Sequence, residues 1–315
     1  MPYRVFGPVP SRRLGRSLGI NALPPKTCDY ACVYCQLGRT THMTVERQGF
    51  YDVGELMNEV ERAVRAALSQ DERIDYLTFV PDGEPTLDRD LGEMIGRVRD
   101  FGIPVAVITN GSLLWRDDVR EDLSAADLVS VKMDAVDPAV WKRVDRPHRS
   151  LSLEAVLEGL RDFSRDFGGT LLTETMLVSG VNDGEAHLKE LASFVGGLSA
   201  HASYLSIPTR PPAEQWVVPP GEDVLARAYA LFSSVVPHVE YLIGYEGDAF
   251  SRTGDVREDL LSITAVHPMR RGALTAFLAE ANASWDVVES MLRSHELVEL
   301  PYGGETFFLR ALPGR

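Results

Sequence analysis

Cysteine is scarce in this chain, with three in 315 residues, and all of them fall in one eight-residue window as Cys28, Cys32 and Cys35. An odd count excludes a complete disulfide framework. The sequence also lacks any apolar run near the roughly 18 residues that a membrane-spanning helix needs. Its first residues, MPYRVFGPVPSRRLGRSLG, are broken by prolines and arginines and carry no apolar core of a secretory signal. These absences read as a cytoplasmic protein with no membrane partner, where thiols stay reduced and clustered cysteines serve a metal or catalysis. Net positive charge is lacking too: 46 acids face 32 basic residues, a formal −14, which argues against nonspecific adhesion to RNA or lipid.

Three thiolates suit two kinds of metal site. Zinc takes four protein ligands when structural, or three plus water when catalytic, so three cysteines with His42 as a fourth ligand is one reading. The other is an iron–sulfur cluster. A four-iron cube normally takes four cysteines; with three, one iron is left open for an outside ligand.

Downstream of the cysteines, strand-like and helix-like stretches alternate. Residues 53–68 carry apolar residues at helical spacing, and 74–80 read as a strand. A helical 91–101 precedes strands at 104–110 and 127–134, and a helical 152–163 precedes a strand at 170–180. Helical 185–198 leads to a strand at 203–208, and helical 224–235 to a strand at 239–245. Such alternation implies parallel β/α units, closed or open. Ligands of parallel sheets sit at the carboxyl ends of the strands, and the unusual polar residues of this chain cluster there.

The segment Cys28-Asp29-Tyr30-Ala31-Cys32-Val33-Tyr34-Cys35 resembles the CxxxCxxC signature, with an aromatic before the last cysteine, of the radical S-adenosylmethionine (SAM) superfamily. The resemblance implies that three thiolates hold a [4Fe–4S] cluster, that the amino and carboxylate groups of SAM chelate the open iron, and that Tyr34 packs beside them. It implies a partial (β/α)6 barrel as the fold. It also implies a reaction: an electron from a low-potential donor such as a flavodoxin or ferredoxin cleaves SAM, and the 5′-deoxyadenosyl radical takes a hydrogen atom from an unreactive substrate carbon.

Further stretches extend the likeness. Asp82-Gly83-Glu84-Pro85-Thr86 stands where the family has a GGEP-type turn that grips the SAM ammonium group, with Asp82 in place of the first glycine. Glycine allows close backbone approach, and a carboxylate complements an ammonium. Thr109-Asn110-Gly111 ends the next strand, where family members carry a similar turn beside the cluster. Ser130, Lys132 and Asp134 share one face of the strand after it, either as SAM contacts or as a buried Lys132–Asp134 pair. The opening GPVPSRRLGRSLGIN, the DRPH at 145–148, the VSGVND ending at Asp183 and the PTRPP around Arg210 look like the branch containing wyosine-type tRNA-modifying synthases. That branch carries a second cluster on further cysteines, and this chain has none to offer. Arg210, and the Arg12, Arg13 and Arg16 of a basic N-terminal segment, are candidate contacts for an anionic substrate of nucleotide, peptide or metabolite class. Residues 1–47 hold seven Lys or Arg against two acids.

Beyond about residue 250 the pattern changes, which divides the chain into a core domain, 1–250, and a C-terminal domain, 251–315. A helix over 269–281, Ser284 as N-cap of a helix over 285–296, and a hairpin turning at Gly303-Gly304 look like a winged helix. Five arginines against six acids over 266–315 argue against DNA and favour a lid, a docking module or a dimer contact. Three functions fit: a radical SAM enzyme, an activase that installs a glycyl radical on a partner enzyme, and a non-catalytic iron–sulfur or zinc sensor with the winged helix as output.

Overall fold

Runs of four to seven residues rich in Val, Ile and Leu, apolar on both faces, form the spine of the fold, as expected of parallel strands covered on two sides. The computed structural model describes residues 4–80, 82–243, 255–266 and 268–311. Its strands, in chain order, begin with β1 (Val5–Ser11) and β2 (Gly15–Ile20), followed by the short pair β3 (Thr27–Cys28) and β4 (His42–Met43). Then come β5 (Tyr76–Phe79), β6 (Val105–Thr109), β7 (Leu128–Lys132), β8 (Thr170–Met176), β9 (Ala202–Ser206) and β10 (Val239–Leu242). One eight-stranded sheet runs β1-β2-β5-β6-β7-β8-β9-β10. Every neighbour from β2 onward is parallel, and β1 returns antiparallel along the edge. This is the expected partial β/α barrel, with two more strands than the alternation indicated. Pro8 and Pro10 hide β1 in the sequence; an edge strand tolerates proline because one of its sides has no ladder to donate to.

Helices α1 (Val53–Ser69), α2 (Leu91–Arg99), α3 (Asp117–Ser124), α4 (Pro138–Val144), α5 (Leu153–Asp166), α6 (Glu185–Gly196) and α7 (Glu222–Ser233) connect the strands. The amphipathic pattern of α1 is typical: Asp52 caps it by accepting the Glu55 N–H at 2.8 Å, and Leu56, Val60, Val64 and Ala67 form its buried stripe. Strand periodicity sorts the two faces of the sheet. Val129, Val131 and Leu171 pack under the helices, whereas Leu128, Leu172, Ala202 and Tyr204 fill the concave interior with Leu14.

After residue 254 the chain forms α8 (Val256–Val266), β11 (Met269–Arg270), α9 (Arg271–Glu280), α10 (Asp286–Arg293), β12 (Leu297–Tyr302) and β13 (Glu305–Arg310). A small antiparallel sheet runs β11-β13-β12. The hairpin turns where expected, with Gly303 and Gly304 at φ 57° and 80°, the left-handed values a type I′ turn requires. Two details depart from expectation. The helix read over 269–281 starts only at Arg271, because Met269 and Arg270 pair with β13. Helix α10 starts at Asp286 with Trp285 in the cap position, while Ser284 Oγ accepts the Asp286 N–H at 3.3 Å. The boundary read at 250/251 lies outside the described residues.

The C-terminal unit does not stand apart. Phe6 and Val9 of β1 share one buried cluster with Leu260, Leu274, Phe277 and Phe308, and the Tyr302 hydroxyl donates to the Pro208 carbonyl at 2.8 Å. It therefore reaches from the edge strand to the loop after β9. Phe308 is fully buried there, so Phe308→Ala should cost about 3–5 kcal/mol. Urea unfolding followed by circular dichroism and by fluorescence should show that loss as one coincident transition; two separate transitions would show that the unit folds on its own.

Candidate active site

The segment between β2 and α1 carries the cysteines with little regular structure, so backbone bonds to neighbouring loops must fix its path. On one side the Lys26 N–H donates to the Asp82 carbonyl at 2.6 Å and the Glu84 N–H to the Thr27 carbonyl at 3.1 Å. Gly83 sits between these bonds, and a Cβ there would lie 1.7 Å from the Thr27 carbonyl oxygen. The glycine of this turn is thus required by the cysteine loop itself. On the other side the Ala31 N–H donates to the Asp145 carbonyl at 3.0 Å, the Val33 N–H to the Val144 carbonyl at 2.9 Å, and the His148 N–H to the Asp29 carbonyl at 2.7 Å. The DRPH stretch is the cradle of the cysteine loop, and the buried Asn182 of VSGVND ties the ends of β7 and β8 by donating to the Asp134 and Met176 carbonyls.

Glu84 joins two strand ends. Its Oε1 accepts the Thr86 N–H at 3.0 Å and the hydroxyls of Thr86 and Thr109, both at 2.6 Å; its Oε2 accepts the Asn110 N–H at 2.7 Å. Burial and the nearby Asp29 charge push this carboxyl up to about 7. Asp29, also buried, accepts from Asn110 Nδ2 at 2.6 Å and from the Ser112 hydroxyl; burial raises it to about 6 against those bonds. Cys28 Sγ accepts from the Tyr30 N–H at 3.4 Å and from Asn110 Nδ2 at 3.8 Å. Burial, reinforced by Asp29 at Cys28 and Asp145 at Cys32, raises both thiols well above their ordinary value. Metal binding here must therefore release protons.

The concave face holds a charge cluster that the sequence reading missed. Lys132 pairs with Glu174 and not with Asp134, which leaves the alternative of a Lys132–Asp134 ion pair corrected: register sets Lys132 directly opposite Glu174 on the adjacent strand. Arg13 enters from the β1–β2 turn, pairs with the same carboxylate and donates to Ser130 Oγ at 3.1 Å. Burial alone would raise Glu174, yet Arg13 and Lys132 outweigh it and pull the carboxyl down to about 2. Asp134 instead accepts the Tyr34 hydroxyl and the Met176 N–H, the latter at 2.6 Å, and Lys132 Nζ lies 5.4 Å from the Tyr34 ring centroid.

These elements open on one cavity of ≈ 350 Å³. Cys28, Cys32, Cys35, Tyr34, Gly83, Glu84, Asn110, Lys132, Arg13 and Arg210 all line it. Thr86 lies buried beneath Glu84, Ser130 beneath Arg13, and Asp134 behind Tyr34. Arg12 and Arg16 do not line it: Arg12 Nη1 reaches the Tyr241 carbonyl at 3.4 Å and Arg16 lies 3.6 Å from Glu72. The basic N-terminal segment is consumed by acids from elsewhere in the chain, with Arg4 on Glu59, Arg39 on Glu214 and Arg47 on Asp118 and Asp122. Much of its local excess of positive charge is thus paired within the fold, and of Arg12, Arg13 and Arg16 it is Arg13 that lines the cavity. His42 is exposed on β4 and outside the cavity.

The cysteine spacing and the strand-end polar residues have the arrangement of one family, and the Radical SAM superfamily model matches residues 23–192. The chain belongs to the radical SAM superfamily. A UPF0026 protein of Methanocaldococcus jannaschii is 43% identical over 312 residues, covering 98% of this chain and 97% of that one. Among solved structures, a radical SAM methyltransferase from Sphaerobacter thermophilus superposes with a TM-score of 0.58 at 18% identity, over 72% of this chain and 66% of that one. TYW1 with a lysine-pyruvate adduct gives 0.51 at 15% identity, over 70% and 74%. Both likenesses are of fold alone. This radical SAM enzyme has no described helix long and apolar enough to cross a membrane.

The Gly83 contact yields a test. Gly83→Ala should displace the cysteine loop and cut iron incorporation several-fold, read as iron per chain and visible absorbance. Gly96→Ala, in α2 with nothing within 4 Å of the added carbon, should leave incorporation intact and stabilise the helix by about 0.5–1 kcal/mol. Equal incorporation in both variants would refute the docking role of Gly83.

Proposed function

We propose that Cys28, Cys32 and Cys35 hold a [4Fe–4S] cluster with one open iron, that SAM binds over it, and that an anionic substrate is oxidised or rearranged in the same cavity. One observation carries the reading: the three thiols and the polar ends of β5, β6 and β7 face a single cavity. The donor set fits. Among the described residues no group of three or more His, Cys, Asp or Glu is placed to hold a single metal ion, which disfavours zinc. A four-iron cube seats each thiolate on its own iron and so accepts wider spacing. The backbone and amide donors at Cys28 Sγ are the kind that tune such clusters. When bound, cluster and SAM supply one-electron hydrogen-abstraction chemistry, leaving methionine and 5′-deoxyadenosine.

The chain's own residues bind and orient. Glu84 Oε2, with one protein donor, offers acceptor capacity toward an ammonium, and Tyr34 is held against the cavity by Asp134. Lys132 and Arg13 are fixed by Glu174 and keep positive potential in the interior. Among the described residues the cavity is lined by four cationic side chains, Arg13, Lys132, Arg210 and Arg270, against two carboxylates, Glu84 and Glu174, a balance that suits an anionic substrate. The electron comes from a low-potential donor such as a flavodoxin or ferredoxin. A C-terminal winged-helix-like unit that lines the cavity serves the reaction better than it serves a sensor output. Kinship with the wyosine-type synthases remains at the level of motifs; the one at 145–148 supports the cysteine loop, and Asn182 before Asp183 ties the ends of β7 and β8.

Anaerobically reconstituted protein should carry about four irons per chain and convert SAM with dithionite to 5′-deoxyadenosine. Replacing Cys28, Cys32 or Cys35 by alanine should abolish both, since no fourth cysteine exists in the chain. Zinc in the purified protein with no deoxyadenosine from the reconstituted one would sink the reading.

A further inference from the structure

One wall of the cavity is not supplied by the barrel. Pro268, Arg270 and Phe307 come from the C-terminal unit, which bridges the edge strand β1 and the loop after β9. Arg270 on β11 and Phe307 on β13 are direct partners across the small sheet. The Arg270 guanidinium lies over the ring of the buried Phe307, 5.7 Å from its centroid, so the ring backs a positive charge held at the cavity wall. Arg210 adds a second cation on the same rim, braced by Gln36 Oε1 at 2.8 Å and by the Tyr302 bond to neighbouring Pro208. The apolar side chains of Ile207, Leu242 and Val80 line the same cavity. Guanidinium groups bind phosphate or carboxylate in a fork and stack on flat rings, and aromatic walls stack rings in turn.

We propose that Arg270, positioned by Phe307, determines substrate specificity by receiving a planar aromatic or heteroaromatic ring that bears a phosphate or carboxylate. Arg270 and Arg210 hold the anion, and the face of the Arg270 guanidinium, backed by the buried Phe307 ring, receives the ring of the substrate. The inference rests on the substrate-cavity reading above and narrows it to a chemical class.

The test uses cluster-loaded protein under anaerobic conditions and calorimetric titration with phenyl phosphate, inorganic phosphate and, separately, SAM. The parent should bind phenyl phosphate about tenfold more tightly than inorganic phosphate, with SAM present or absent. Arg270→Gln should weaken phenyl phosphate about tenfold, the loss expected for one charge-assisted bond. Arg270→Lys should keep the anion and lose most of the ring preference, and Phe307→Leu, which retains the buried volume, should cut that preference to about threefold or less. No ring preference in the parent, or variants that titrate like it, would overturn the proposal. It would also fall if SAM displaced phenyl phosphate and the variants weakened SAM equally, since the two residues would then serve the cofactor. A parent that fails to bind SAM yet shows the ring preference would overturn the radical SAM reading of the cavity and leave this site standing.

Discussion

The contact between the Thr27 carbonyl and the backbone at Gly83 is the constraint on which the site depends. A loop whose three thiols line a cavity cannot be held by packing those side chains into the core. It is held by its backbone instead, clamped between the turn at 82–84 and the stretch at 144–148. The first clamp sits at the carboxyl end of β5 and the second follows α4, so the packed sheet and helix layer pass their rigidity to the cysteines. Glu84 extends the clamp to β6 by spending four bonds on Thr86, Thr109 and Asn110. A carboxylate so deployed is structural first, and any bond to a ligand uses what remains of Oε2.

Buried charge is handled by the same economy. Glu174 in the concave interior would be costly alone, and Arg13 and Lys132 make it tolerable by approaching from different elements. The arrangement ties the β1–β2 turn to β7 and β8. It also leaves the interior with cations that can neither leave nor collapse onto Asp134, which is bonded to Tyr34 and the Met176 amide. The polar interior is therefore preorganised in the absence of any ligand.

Much of this was legible in the sequence because it is local. The CxxxCxxC window, the strand ends at Glu84 and Asn110 and the two-glycine hairpin each announce themselves within a few residues. What depended on pairing between distant segments did not. The inward parity of Glu174 matches that of Lys132, but only the register of β7 against β8 makes them partners. β1 was hidden by its prolines, and with it the path by which Arg13 enters the barrel. Local charge counting could not see such pairing either: the arginines of residues 1–47 look like a basic patch until acids arrive at Arg4, Arg39 and Arg47 from α1, residue 214 and α3. Arg270 and Phe307 carried no signal of their own: a lid was one of three roles the sequence allowed the C-terminal unit, and nothing in it said which residues would line the cavity.

The acid at position 82 connects that unit to the family pattern. Standing in place of the first glycine of a GGEP-type turn, Asp82 is buried, accepting from Asn21 Nδ2 at 3.0 Å. Burial raises its carboxyl to about 6, and the charge of Arg310, the Asn21 bond and Lys26 act against that rise. Arg310 belongs to β13, the strand that also presents Phe307. An acid is therefore tolerable in this turn because the C-terminal sheet brings a cation to it, while Lys26 does the same from the cysteine loop. The same residue that docks the cysteine loop through its carbonyl thus meets, through its side chain, a charge of the sheet that walls the cavity.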